Sequence, residues 1–249
     1  MHPIVGRLIL VPPLLGLILA SGCGGSSHSS GFVDNRPWAE KSFSFNEPIG
    51  SQTALQLQGV SGTIEVTGVP GATSVTITGV RRVQANTLEA ATAHLAQLDV
   101  NVSSSANEVL VQTVQPKFSA GRNYIVNYTI SLPQDIDCSI LSVNGRILAD
   151  AIHGSVLLRL VSGDITASVT LPPAGEIDMS LANGKIDLRI PQTTSAQFSA
   201  TVAIGSISLT NLSLSNETVT PNSRTGTLGG GDGTISLDAG NGTIAVRGI

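Results

Sequence analysis

The chain has 249 residues and a net charge of −4, with 12% charged and 3% aromatic residues. That length buries one large core or two small ones, and the charged fraction is well below the usual ~25%. No basic block is present to neutralise a phosphate backbone, which excludes nucleic acid as a partner. Gly, Ser, Thr, Val, Ile and Ala fill the deficit, and small polar and β-branched side chains suit pleated strands better than helices.

Residues 1–22 read as an export signal. Arg7 supplies the positive start, and residues 8–20 are uncharged and mostly apolar, the length of a signal h-region and too short to span a bilayer. The junction Ala20-Ser21-Gly22-Cys23 resembles the bacterial lipobox, although Leu19 sits one place early. The resemblance implies cleavage before Cys23 and attachment of diacylglycerol to its thiol, so that the membrane is a partner through the N-terminal lipid. Gly24 is not the Asp that, by resemblance to enterobacterial lipoproteins, retains them in the inner membrane. Outer-membrane sorting is expected if the cell is Gram-negative. An ordinary signal peptide cut nearby, with Cys23 incidental, is the alternative.

Residues 23–35 begin with GGSSHSSG after the cysteine and form a flexible polar tether. His28 within it has no evident partner in the sequence. Lipidation of Cys23 would leave Cys138 as the one remaining thiol. Alternation puts Ile136, Cys138 and Ile140 on one face, so Cys138 reads as a small core residue and not as a nucleophile.

From residue 36 to 249 the chain reads as a single all-β domain. Short alternating strands are predicted at 41–45, 53–58, 63–67, 75–78, 108–113 and 123–132, with Gly or Pro in nearly every gap. One segment differs: Leu88, Ala91, Leu95 and Leu98 fall at helical spacing, predicting a short amphipathic helix over 87–98. Asn86 is its expected N-cap, with Glu89 completing a capping box.

A repeat decides the fold class. Gly-x-(Ile/Val/Leu) occurs with glycines at 62, 145, 154, 163, 184, 205, 226, 233 and 242. Gly163, Gly184, Gly205 and Gly226 are 21 apart, while Gly145, Gly154 and Gly163 are 9 apart. The pattern predicts a β-solenoid, or β-helix-like stack, of coils of about 18–21 residues, each burying its aliphatic row against the next. Glycine is expected where the turn into each strand needs positive φ or a tight backbone approach. In this register the 163, 184, 205 and 226 coils stack in sequence, with Ile186 inward and Thr166 outward.

The motifs Val143-Asn144-Gly145-Arg146-Ile147, Val161-Ser162-Gly163-Asp164-Ile165 and Ala182-Asn183-Gly184-Lys185-Ile186 resemble the bacterial "putative adhesin" class, a β-solenoid domain of unknown function. Tyr128-Thr129-Ile130-Ser131-Leu132-Pro133 resembles that family's lead-in strand, as does the helix ahead of Glu108-Val109-Leu110-Val111. The resemblance spans residues 40–249 and implies an extracytoplasmic binding or scaffolding role.

No catalytic, cofactor or metal site is expected. Asp164 aligns with Lys185, Ser206 and Thr227, Asp187 with Thr166 and Ser208, and Asp178 with Ser199, so no acidic ladder suits glycoside hydrolysis. Residues 229–233 lack the spacing of calcium nonapeptides. His94 borders the helix stripe, and His153 fills a turn slot held elsewhere by Asn144 and Ser162. The favoured function is a non-enzymatic binding or adhesion module at the cell envelope, its ligand an envelope protein or surface molecule. The alternatives are a structural, self-associating scaffold and, behind it, a carbohydrate-active β-helix enzyme. The final coil, 240–249, carries full core patterning with nothing after it. Either it folds back inside the domain or it offers an open edge for self-association.

Overall fold

Strand-forming alternation and glycine placement produce an architecture of long bent strands. A computed structural model describes residues 34–249; the signal segment, Cys23 and all of the tether but its last two residues lie outside the described residues. Residues Arg36–Ile249 form one compact unit. Its elements are β1 Trp38–Pro48, β2 Ala54–Gln58, β3 Ser61–Val69, β4 Ser74–Gln84, α1 Leu88–Leu95, β5 Asp99–Ser104, β6 Glu108–Val114 and β7 Asn123–Pro133. They continue as β8 Asp137–Ile152, β9 Val156–Val169, β10 Glu176–Ile190, β11 Ala196–Thr210, β12 Ser215–Val219, β13 Ser223–Leu228 and β14 Gly233–Gly248.

Eight of the nine repeat glycines lie within a strand and not in a turn before it; Gly154, between β8 and β9, is in the turn ahead of its strand, as expected. In β10, Ile177, Met179 and Leu181 are buried ahead of Gly184, and Ile186, Leu188 and Ile190 behind it. The inward set changes from odd to even numbers at the glycine. A strand alternates with period two, so this change of phase marks a corner where the strand turns from one face of the coil (face A) to the other (face B). β8, β9, β11 and β14 bend likewise, and β2 with β3 forms an interrupted version.

Six corner glycines, Gly62, Gly145, Gly163, Gly184, Gly242 and Gly205, are in register in that order across adjacent parallel strands. Their φ values run from +125° to +151°, a region closed to L side chains. A Cβ on Gly184 would lie 1.7 Å from the carbonyl oxygen of Gly163, and the other five meet a neighbouring carbonyl at 2.1 Å or less. Gly154, Gly226 and Gly233 match the local pattern but are not corners; close packing, not positive φ, accounts for them.

The coils do not stack in sequence order. The sheet runs β1-β4-β7-β3-β8-β9-β10-β14-β11-β13-β12, with β2, β6 and β5 branching from β8 on face A. β14 pairs in parallel with β10 on one side and β11 on the other. The expected neighbour of Gly184, Gly205, is therefore one strand further away, and Asp187 faces Ala245 and Thr166, not Ser208. Asp178 likewise sits opposite Ser236 instead of Ser199. Gly226 lies in β13, which runs antiparallel to β11, outside the corner column. The C-terminal strand thus folds back into the middle of the sheet, and its two edges are both occupied.

The core is continuous from Leu55 to Val246. β9 alone buries Val156, Leu158, Leu160, Ile165, Ala167 and Val169, at ~1.5–3 kcal/mol for each larger side chain before ordering entropy is subtracted. The helix is shorter than expected. Thr87, not Asn86, is its N-cap, its side chain accepting from the Ala90 N–H at 3.1 Å. Ala91 and Leu98 are buried, whereas Leu88 is 57% exposed.

Candidate functional site

Side chains that point outward from the corner line a groove of about 580 Å³. Its floor is backbone: Gly62 and Gly145 bring no side chain, so a ligand could approach the main chain there. β3 adds Ser61 and Thr63, β8 adds Asn144 and Arg146, and β9 adds Asp164. From β4 and β7, antiparallel to each other, come Arg82, Ile125 and Asn127.

The groups are held in place. Asn127 Oδ1 accepts the Thr63 backbone N–H at 2.9 Å. The Arg82 guanidinium lies 4.7 Å over the Trp38 ring, with Nε 3.2 Å from Glu40 Oε2. Arg146 Nη2 is 3.8 Å from Asp164 Oδ2, and both side chains stay about half exposed. Exposed pairs of this kind contribute ~0–1 kcal/mol, so Arg146 is free to exchange Asp164 for a ligand oxygen. Two guanidiniums, each beside a carboxylate (Glu40 and Asp164), and two carboxamides around a bare backbone floor can hold an oxygen-rich ligand whose anionic groups take the place of those carboxylates.

Elsewhere the residues singled out in the sequence have local roles. Cys138 is a free, buried thiol, pushed up to about 12 by loss of solvent and then by the Asp137 charge; it is core. His94 Nδ1 is 3.2 Å from Gln97 Oε1 and from the Tyr124 hydroxyl, beneath an edge contact of the two rings. His153 Nδ1 is 3.7 Å from Asp135. In the 229–233 turn, Ser195 Oγ donates to Asp232 Oδ2 at 2.7 Å and accepts the Gly230 N–H at 2.9 Å. Among the described residues no three His, Cys, Asp or Glu side chains converge to hold a metal ion.

Thr166 faces outward as expected, opposite Asp187. The Asp187 side chain is only 9% exposed; its Oδ2 meets Lys185 Nζ at 3.0 Å and Arg247 Nη2 at 3.4 Å. Arg82 and Asn127 had no signal in the sequence, because only the long-range pairing of β4 and β7 brings them to the corner.

No curated protein matches the chain. Among solved structures, a "putative cell adhesion protein" from Clostridium sporogenes ATCC 15579 aligns with a TM-score of 0.53 at 16% identity, covering 84% of this chain and 100% of that one. A "putative adhesin" from Bacteroides fragilis NCTC 9343 covers 84% of this chain and 97% of its own, at 11% identity and a TM-score of 0.28. The first of these shows a shared fold. The profile of the Toastrack family matches residues 47–247, the span of the glycine-cornered strands and of the groove they carry, and the chain belongs to that family, Toastrack DUF4097.

Proposed function

We propose that the chain is a non-enzymatic binding or adhesion module of the cell envelope, held to the membrane by a lipid on Cys23 and engaging acidic, hydroxyl-rich surface molecules in the corner groove. The observation that carries the reading is the convergence of Arg82, Arg146, Asn127 and Asn144 on a side-chain-free floor. The groove's volume lies within the range of ligand sites, while its open, polar lining suits an extended polar ligand and not an enclosed apolar one. The export signal, the lipobox-like junction and the adhesion description of the Clostridium protein support an extracytoplasmic setting.

The test is calorimetric binding of acidic and neutral polysaccharides of matched length. Acidic chains should bind and neutral ones should not, and Arg82→Ala with Arg146→Ala should weaken binding at least about tenfold, the loss of one to two charge-assisted contacts. Equal binding by parent and double variant sinks the groove as the site. Mass spectrometry of the mature N-terminus tests the anchor, and a first residue other than a lipid-modified Cys23 removes it. A second reading, a scaffold that associates with copies of itself, is favoured by one specific feature, the edge of β11 at 204–210, which has no second strand among the described residues.

A further inference from the structure

Face B of the stack ends before face A does. β13 pairs with β11 only from Ala196 to Thr201. Just beyond, Val202 N–H donates to Asn222 O, and the Asn222 side chain donates to Ala203 O at 3.0 Å. From 204 to 210 the one strand partner of β11 among the described residues is β14. This open stretch contains no charge and no proline, the two devices that usually blunt an edge. Ile204 is 71% exposed. Ile207 and Leu209 are only partly buried, whereas their row neighbours Ile244 and Val246, and Ile186 and Leu188 beyond them, are fully buried. The core rows run one strand past their cover.

The opposite end of face B is β1, which among the described residues pairs with β4 alone. β1 is antiparallel to β4, and β4 to β7. β7 is parallel to β3, β3 to β8, and the parallel series continues to β11. Both open edges therefore run in the same direction. β1 also presents a pair of partly buried apolar residues two apart, Phe43 and Phe45, the spacing of Ile207 and Leu209. The ends are stepped in opposite senses, by two strands at the β11 end and by one at the β1 end, so the outermost strand β12 must give way for β1 to reach β11. At the β11 end, face A projects by the two strands of the β12–β13 hairpin. At the other end, face B continues past β8 through β3, β7, β4 and β1, and face A only through β2, β6 and β5.

We propose that a second copy of this chain covers the β11 edge head to tail, its β1 adding in parallel beside residues 204–210 and its Phe43 and Phe45 extending the Ile207 and Leu209 rows. This deepens the self-associating reading; β1 and β11 add no residue to the groove lining, and β1 touches the groove only through Trp38 and Glu40, which hold Arg82 and lie outside the 43–45 segment. The contact is between unlike surfaces, so it propagates as an open stack and does not close on a two-fold axis.

The test is sedimentation of residues 36–249, which contain the whole core, as parent and as two variants, Leu209→Lys and Phe45→Lys. The parent should form larger species as concentration rises. Each variant alone should remain monomeric, because each has lost one of the two complementary edges. An equimolar mixture should form one-to-one dimers and nothing larger, since each variant retains the edge that the other lacks. Ile204→Lys, at an exposed position, substitutes if Leu209→Lys unfolds. Amide exchange at 204–210 and along β1 should slow together with concentration in the parent. A parent that is monomeric at every concentration overturns the proposal. So does association that survives Phe45→Lys, which would mean β11 pairs with something other than β1.

Discussion

Gly184→Ala is the sharpest perturbation of the stack. Its φ is +138°, and the added Cβ would lie 1.7 Å from Gly163 O, where a carbon–oxygen contact needs about 3.3 Å. Adjacent strands are about 4.8 Å apart, so relief means parting β9 from β10 by more than an ångström or rotating the corner out of its conformation. Parting breaks ladder hydrogen bonds worth about 1 kcal/mol each, and retaining the backbone costs about 1–3 kcal/mol of strain. The expected loss is ~3–5 kcal/mol, a large share of a domain stability of ~5–15 kcal/mol. Gly71→Ala is the control: its φ is +70°, yet a Cβ there meets nothing within 4 Å, leaving only the left-handed penalty of about 1–2 kcal/mol. Urea unfolding followed by far-ultraviolet circular dichroism measures both. If Gly184→Ala costs no more than Gly71→Ala, the corner column does not hold the strands as close as described.

Ile186→Asp buries a charge between Ile165 and Ile244 and should cost several kcal/mol in the same assay, whereas Ser168→Asp, outward and opposite Arg189, should be nearly silent. The Cys138 thiol, raised to about 12 by burial, should resist iodoacetamide at pH 8 in the native protein and react fully in denaturant; labelling in the folded state would contradict its place in the core. The Asp238 carboxyl is raised by loss of solvent and then by Asp178, so it binds its proton more tightly folded than unfolded, and its ionisation above the folded value works against the fold. Asp238→Asn should therefore raise Tm at neutral pH, with the gain shrinking as pH falls through the carboxylate range; a gain that grows on acidification would reverse the sign.

The corner glycines were legible as a repeat, though as turns ahead of the strands and not as corners within them, because at a φ near +140° next to a carbonyl only glycine fits. The inward rows were legible for a related reason, since period-two burial on either side of a fixed corner leaves little choice of residue. Strand order was not. Ile207 and Ile244 follow their glycines identically, so either could sit beside Ile186, and local pattern contains nothing to choose between 205 and 242. Gly226-Thr227-Leu228 satisfies the same pattern inside an antiparallel hairpin, where Leu228 is buried without a corner. The helix cap slipped by one residue because Asn86 and Thr87 are both competent caps. The groove was half visible: Asn144, Arg146 and Asp164 flank their corner glycines, but Arg82 and Asn127 arrive through β4 and β7 from distant sequence.

In stacking order, the second residue after each corner glycine is Ile64, Ile147, Ile165, Ile186, Ile244 and Ile207, isoleucine at every level. The residue between is Thr63, Arg146, Asp164, Lys185, Thr243 and Ser206. One step along the backbone separates a row dictated by packing from a row that packing leaves open, because successive side chains point to opposite faces of the sheet. Inward, a β-branched chain of one volume fills each layer and any change is felt by both neighbours. Outward, charge and shape vary at little cost to the fold. On the binding reading proposed above, recognition chemistry belongs to the outer rows, and of these the row beside the corner column has bare backbone next to it. The Arg146–Asp164 pair in that row, joined by Arg82 from β4, is where the proposed ligand discrimination would change without disturbing a single core contact.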